Sequence, residues 1–250
     1  MQINSINNTY GQIASGNRLT SAAVSPSDLA ISNKMTSQET GLNQGANNIK
    51  DGISALNISD GALAGITENL QRVHELSLKA SNGLLTSGDK DAIQSEIDGL
   101  LKGIDEIANG TEFNTKKLLN GDGNLSIASN PDGSGQQIST VNSTVEALGL
   151  KDFNITGNFD INKVTDALSK VISQRSGIGA QTNALESAYR QNTNTVENVV
   201  ASKSKIADLD MPKAISEQKK AQLLQTMQFQ IQRKKMEDEH NNMLGLFQKI

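Results

Sequence analysis

The feature that most constrains this chain is a proline-free stretch from Ser27 to Asn82 carrying a seven-residue repeat. Leu42, Ile49, Leu56, Leu63 and Leu70 recur at that interval, and a second apolar row follows at Ala46, Ile53, Ile66, Val73 and Ala80. A repeat sustained over this length predicts a coiled-coil-like helix rather than an ordinary amphipathic one. The second row shifts its offset from four residues to three along the way, a local change of winding that long helices tolerate. At ~1.5 Å per residue such a helix would be roughly 80 Å long. A compact globule rarely needs that length, so an elongated structure is expected.

A helix with a heptad seam needs a partner. From about Asp160 the repeat returns in Val164, Val171, Ile178, Leu185, Val199 and Ile206, interrupted by Asn192. Leu168, Arg175, Thr182, Tyr189 and Val196 run beside it. One polar residue in such a seam often fixes register. A shorter helix is predicted from about Asp89 to Ala108, with Ile93, Ile97, Leu100, Leu101, Ile104 and Ile107 on its apolar face. Gly99 and Gly103 weaken it by ~1 kcal/mol each relative to Ala, and their spacing suggests close helix packing. Antiparallel pairing of the two long helices, with Asp89–Ala108 alongside, is the economical fold.

The composition agrees with narrow helical seams. Hydrophobic residues make up 36% of the chain and aromatics 3%, with no Trp. Such a core suits helix-on-helix packing and suits an aromatic-lined ligand pocket poorly. The net charge of −4 supplies no basic field for nucleic acid. Cysteine is absent, which removes disulfides, thiolate metal sites and Cys nucleophiles together. The first residues lack the cationic start and apolar run of a signal peptide. No stretch approaches the ~20 apolar residues of a transmembrane helix. An exported protein of this kind would need another route.

Between the helices, Gly110 to Gly157 is rich in Gly, Asn, Asp and Ser. Pro131-Asp132-Gly133-Ser134 is a turn signal. Asn124–Ala128, Gln136–Val141 and Phe153–Thr156 are candidate strands, and Asn142–Leu150 a short helix ending at Gly149. The ends of the chain read differently. Ile3, Ile6, Tyr10 and Ile13 make a short amphipathic edge, marginal for a helix standing alone. Ser25 can cap a helix with Pro26 at its first position. Asp208-Leu209-Asp210-Met211-Pro212 breaks the second long helix, with the acids read as caps. Beyond it, Leu223, Leu224, Met227 and Ile231 form a thin stripe, and Met243, Leu244, Leu246, Phe247 and Ile250 another. The intervening Gln232–His240 is nearly all polar and reads as a solvated or salt-bridged helix face, since Arg233–Lys235 is answered by Glu237–Glu239. Neither terminus carries enough apolar surface to bury itself. The assembly residues expected at the ends are Ile6, Tyr10, Ile13, Leu223, Met227, Ile231, Leu244 and Phe247.

Catalytic patterns are missing from the sequence. His74-Glu75 lacks the second His of a zinc-protease helix. There is no P-loop, no nucleophile elbow and no continuing calcium loop after Asp208. No enzyme and no cofactor are expected.

Several long motifs resemble the bacterial flagellins. At the N-terminal end these are Ala14-Ser15-Gly16-Asn17-Arg18-Leu19, Ser21-Ala22-Ala23 and Leu29-Ala30-Ile31-Ser32. Leu70-Gln71-Arg72-Val73-His74-Glu75-Leu76-Ser77-Leu78-Lys79-Ala80 follows, and then Glu96-Ile97-Asp98 through to Thr111–Leu119. Toward the C-terminus the motifs are Ser173–Ala180, Ile206–Met211 and Lys219–Leu224. The resemblance covers nearly all of the chain outside 121–160. It implies a mainly α fold: a long antiparallel coiled-coil-like rod of three helices with a small β-hairpin region, plus a helical domain formed by both termini. Residues 1–24 with 212–250 would form the inner-tube domain, and 25–211 the rod, with its β-rich part at about 121–158.

The resemblance further implies a structural subunit that polymerises into the flagellar filament for motility, in a minimal form without outer domains. A hook–filament junction protein is the alternative. Implied partners are further copies of the chain, the type III export apparatus with its flagellin chaperone, and the cap and hook-associated proteins. The vertebrate flagellin-sensing Toll-like receptor is a further one, with Arg72, Leu76 and Glu96 at the positions of its recognition and of subunit contact. Nucleic acid and membrane insertion are not expected, and the location is secreted, in the flagellum. The chain departs from the family pattern at Val24-Ser25, where an acidic pair is usual, and at Asp28 and His74. It also has a shorter N-terminal helix and a more charged tail.

Overall fold

The computed structural model describes the backbone of residues 2–247 and the side chains of residues 9–241. Among the described residues, six helices and two small antiparallel sheets are formed in the order α1 (Gln2–Ser15), α2 (Pro26–Ala80), α3 (Ser87–Gly110), β1 (Glu112–Phe113), β2 (Lys116–Lys117), β3 (Asn120–Ala128), β4 (Gly135–Asn142), α4 (Val145–Leu148), α5 (Asn162–Ala207) and α6 (Met211–Phe247). The chain divides into two compact units, Met1–Gln38 with Asn198–Ile250, and Glu39–Glu197. They are called the terminal unit and the central unit below.

In the central unit the leucine row does what its spacing predicts. Leu42, Ile49, Leu56, Leu63 and Leu70 are all buried. All but Leu42 share one core with Ile93, Ile97, Leu101 and Ile104 of α3 and with Val164, Val171, Ile178 and Leu185 of α5. The directions follow from pairwise contacts. Arg175 bonds Asp60, Leu185 lies against Gly52, and Lys50 sits 5.0 Å from the ring centre of Tyr189. As the α5 number rises the α2 number falls, so the two run antiparallel. Gly65 faces Ile107, Gly103 faces Asn69, and Arg72 bonds Glu96, so α3 is antiparallel to α2 as well.

Local chemistry sets the helix ends. Thr86 caps α3: its hydroxyl accepts from the Asp89 N–H at 3.2 Å, and the Asp89 carboxylate accepts from the Thr86 N–H at 3.0 Å. This reciprocal box satisfies two donors that a helix start leaves open. Thr144 caps α4, which stops at Gly149 with φ +82°. Pro26 opens α2. Asp210 accepts from the Lys213 N–H at 3.2 Å at the start of α6, as the helix-end reading of that segment expects.

The β region is a hairpin clamped onto the helices. β3 and β4 pair from Asn120↔Asn142 to Ala128↔Gly135, with an irregularity between Asn120 and Gly123. Its tip is the turn read from Pro131–Ser134: Asp132 accepts from the N–H and the hydroxyl of Ser134. A methyl on Gly45 would lie 2.1 Å from the Ser129 carbonyl oxygen, and one on Gly41 would lie 2.7 Å from Pro131. The hairpin tip therefore rests directly on the α2 backbone. Asn48 donates to the Ala128 carbonyl and buried Asn192 to the Ser129 carbonyl.

Asn192 interrupts the seam as read, and its hydrogen bond goes to the hairpin. Two expectations need correction. Gly99 meets no neighbour, and a methyl on Gly103 would make only ordinary contact with Asn69. The helical glycines that close approach requires are Gly41 and Gly45 of α2. Phe153–Thr156 is not a strand. Its backbone is held instead by the buried Gln94 side chain, which accepts from the Ile155 N–H at 2.8 Å and donates to the Phe153 carbonyl at 3.2 Å. A side-chain amide satisfies both groups, so no second strand is needed. The structure also contains a small hairpin not expected from sequence. β1 pairs with β2 around Asn114 and Thr115, both with positive φ.

Candidate functional site

Two surfaces carry the residues singled out in the sequence. In the terminal unit, α1 and α6 are joined at one end by a compact knot. The Arg18 N–H donates to the Ala207 carbonyl, the Leu209 N–H to the Gly16 carbonyl, and Asn17 bridges Asp208. The Arg18 guanidinium donates to the Ile206 carbonyl and pairs with Asp28 at 3.0 Å. One cation thus satisfies an orphan carbonyl in the last turn of α5 and an acid in the first turn of α2. Leu19, Ala207 and Ala214 are the buried apolar residues here. The Asn17-Arg18-Leu19 run was visible in the sequence as a motif, but its role needed the distant Ile206 and Asp28.

Away from the knot the terminal unit is open. Ile13 is half-buried and Tyr10 is exposed, with its hydroxyl accepting from Gln222. Leu223, Met227 and Ile231 lie four residues apart on one face of α6, with Leu224 beside them, and all four are more than half exposed. A second row was missed in the sequence. Gln222, Phe229 and Met236 are seven residues apart, so Phe229 and Met236 continue the face on which Gln222 meets Tyr10. Both are exposed. The signal was present as a seven-residue interval, but a polar residue at its head hid it. Ile6, Leu244 and Phe247 lie outside the described side chains. A helix with two bare apolar rows is unusual for a soluble monomer, and such patches mark contact surfaces.

In the central unit, Arg72 donates to Glu96 at 2.8 and 3.0 Å and to Glu75 at 3.2 Å. The bond to Glu96, then that to Glu75, holds the guanidinium even more firmly protonated than usual. About half of each of the Arg72 and Glu96 side chains faces solvent. Leu76 is placed differently: it is 2% exposed and belongs to the core. The structure thus brings Arg72 and Glu96 together on the surface and buries Leu76 in the core. Leu78 is the exposed leucine of that turn.

No arrangement for chemistry is found among the described residues. No group of His, Asp and Glu there could hold a metal ion. An open hollow of about 700 Å³ beside α3 and α4 is lined by Asp98, Lys102, Asp105, Glu146 and Lys151, with no paired nucleophile and base. No helix in the described part is long and apolar enough to cross a membrane.

Comparison with known proteins agrees with the geometry. Residues 2–124 match the bacterial flagellin N-terminal helical region, and residues 161–234 the bacterial flagellin C-terminal helical region. The flagellar filament 33 kDa core protein of Treponema phagedenis is 32% identical over 244 residues, covering 88% of this chain and 85% of that protein. A flagellin of Salmonella oranienberg is 32% identical over 245 residues, and there the match spans 48% of the relative's length. The crystal structure of Bacillus cereus flagellin superposes with a TM-score of 0.51 at 25% identity, covering 58% of this chain and 88% of that one. A chain described as a flagellar hook-associated protein of Vibrio parahaemolyticus shares the fold, with a TM-score of 0.61 at 15% identity over 74% of this chain and 100% of that one.

Proposed function

This chain belongs to the bacterial flagellin family, and we propose that it polymerises into the flagellar filament by covering the bare rows of α1 and α6 with the same helices of neighbouring copies. The observation that carries this reading is the exposure of Leu223, Leu224, Met227 and Ile231 on a helix whose described residues from 222 to 241 are all exposed. A helix draws most of its stability in proteins from packing of an apolar face. Here that packing is supplied by other chains, so assembly and ordering of the ends are coupled.

In this reading residues 1–24 with 212–250 are the assembly domain, and 25–211 the rod, with its β part at about 121–158. The core of the central unit is complete within one chain and serves as the stiff element that carries torque. The family is one of structural proteins, and no catalytic role is assigned. We place the chain outside the cell, exported through the flagellar type III route with its chaperone and meeting cap and hook-associated proteins. The resemblance of its motifs to flagellins supports that route, and a cysteine-free chain suits it. The same resemblance supports recognition by the flagellin-sensing Toll-like receptor. Arg72 and Glu96 would present the surface, and Leu76 would hold it from below.

The hook–filament junction reading has less support. The likeness to the Vibrio protein is one of fold, whereas the Treponema filament core protein matches over most of both chains. Electron microscopy of concentrated purified protein, with circular dichroism before and after polymerisation, tests the filament reading. Filaments and a gain of helix are expected. A sample that stays monomeric at every concentration would overturn it.

A further inference from the structure

One segment of α6 carries a pattern that the apolar rows do not explain. Arg233, Lys234 and Lys235 precede Met236, and Glu237, Asp238 and Glu239 follow it. All seven are exposed. Among the described residues, none of the six charges closes an ion pair. Each base stands four residues before an acid, but base-first is the weaker order along a helix. The match to the flagellin C-terminal region ends at residue 234, so the acidic half lies outside it.

We propose that Arg233–Glu239 is a self-complementary charged contact between copies of this chain. The proposal rests on the filament reading and adds a specific surface to it. The basic and acidic triplets are centred four residues apart, about 6 Å along the helix axis. Two α6 helices running in the same direction and displaced by that amount set the bases of one against the acids of the next. Each copy is then left with one free triplet, so the contact propagates as a head-to-tail interface, which builds an open helical polymer. Antiparallel pairing would satisfy the same charges but would close as a dimer. Met236 sits at the centre of the segment, where its exposed side chain is covered by the neighbour.

Two variants of the full chain separate this contact from pairing within one helix. Arg233→Glu with Lys234→Glu and Lys235→Glu makes the segment wholly acidic. Glu237→Lys with Asp238→Lys and Glu239→Lys makes it wholly basic. Each alone sets like charges against each other between copies, and its critical concentration for polymerisation should rise at least about ten-fold. An equimolar mixture of the two should polymerise within about two-fold of the wild type, because complementary segments now meet between chains. Pairing within a helix is lost in both variants, and mixing cannot restore it. A mixture no better than either variant alone, or one that stops at dimers, would overturn the proposal. Variants that each polymerise like the wild type would overturn it too, while leaving the filament reading in place. A wild-type chain that never polymerises would instead remove the reading on which the proposal rests.

Discussion

Leu185 and Leu223 both sit in helical apolar stripes, yet one is 1% exposed and the other 62%. Leu185 lies in the central unit, where α2, α3, α5 and the hairpin cover one another. Leu223 lies in the terminal unit, on a helix that meets α1 through Gln222 and Tyr10 yet leaves Leu223 exposed. The two leucines contribute equally to hydrophobicity in the sequence. They differ in whether their own chain supplies the cover, and that difference separates a self-sufficient core from the bare face proposed above for assembly.

The sharpest way to break this comparison is to truncate both kinds of leucine. Leu70→Ala, at a fully buried position, should cost about 2–5 kcal/mol of unfolding free energy in urea. Leu223→Ala should stay within ~0.5 kcal/mol in the monomer while raising the concentration needed to polymerise. Equal destabilisation of the monomer by both changes would show that the terminal unit is as closed as the central one.

Next in size is Gly45→Ala. Its methyl would overlap the Ser129 carbonyl oxygen at 2.1 Å, so the hairpin tip must lift off α2, at about 1–3 kcal/mol for overpacking. Faster amide exchange at Ser129 and Asn130, whose N–H groups bond the Ser134 carbonyl, is the readout. Unchanged exchange would mean that the hairpin is not clamped.

Thr115→Gly should act in the opposite direction. Thr115 has φ +66°, a region costly for a β-branched residue. Relief of that strain is worth about 1 kcal/mol and should raise the thermal midpoint of the central unit. A lowered midpoint would show that the Thr115 side chain stabilises the turn.

The smallest effect is a pH dependence. The Thr86 N–H, then its hydroxyl, holds the Asp89 carboxyl below the usual carboxylate range. Its folded pKa is therefore lower than its unfolded one. The stabilisation is complete above the unfolded value of about 3.9 and is lost as pH falls through the folded value. Asp132 is depressed in the same sense by the hydroxyl and N–H of Ser134, so the wild type loses both contributions in acid. Asp89→Asn should flatten part of the acid limb of the melting curve. An unchanged limb would remove the capping box from the account.

The parts of the fold legible in the sequence were those governed by local spacing. The leucine row of α2 and the seam of α5 follow from helical periodicity, which needs no knowledge of the partner. The turn at Pro131–Ser134 follows from residue chemistry alone. Other parts failed because the deciding group was distant. A glycine in a helix looks the same whether a carbonyl rests on it, as at Gly45, or nothing does, as at Gly99. Phe153–Thr156 has the alternation of a strand, but Gln94 took its hydrogen bonds. The β1–β2 turn was hidden because Thr115 is a residue that positive φ normally excludes.

The candidate surfaces divide in the same way. The stripe of Leu223, Met227 and Ile231 could be read directly, since it is a single periodicity. The face of Phe229 and Met236 became visible only when the bond between Tyr10 and Gln222 showed which row it extends. The flagellin-like motif holding Arg72 and Glu96 was equally readable, but not that they face solvent together while Leu76 is buried.

By itself, then, the sequence determined which stretches are helices, that two of them carry matching seams, and that the ends lack a core of their own. Periodicity and composition are properties of the chain, and they act before any partner is met. The tertiary structure decided which apolar rows are covered, where the backbone approaches closely enough to demand glycine, and which buried polar groups find partners. Those depend on contacts between residues far apart in the chain, such as Asn192 with Ser129 and Arg18 with Ile206. The leucine row of the long helix is covered by its own chain, whereas the outer rows of α6 are left exposed by it.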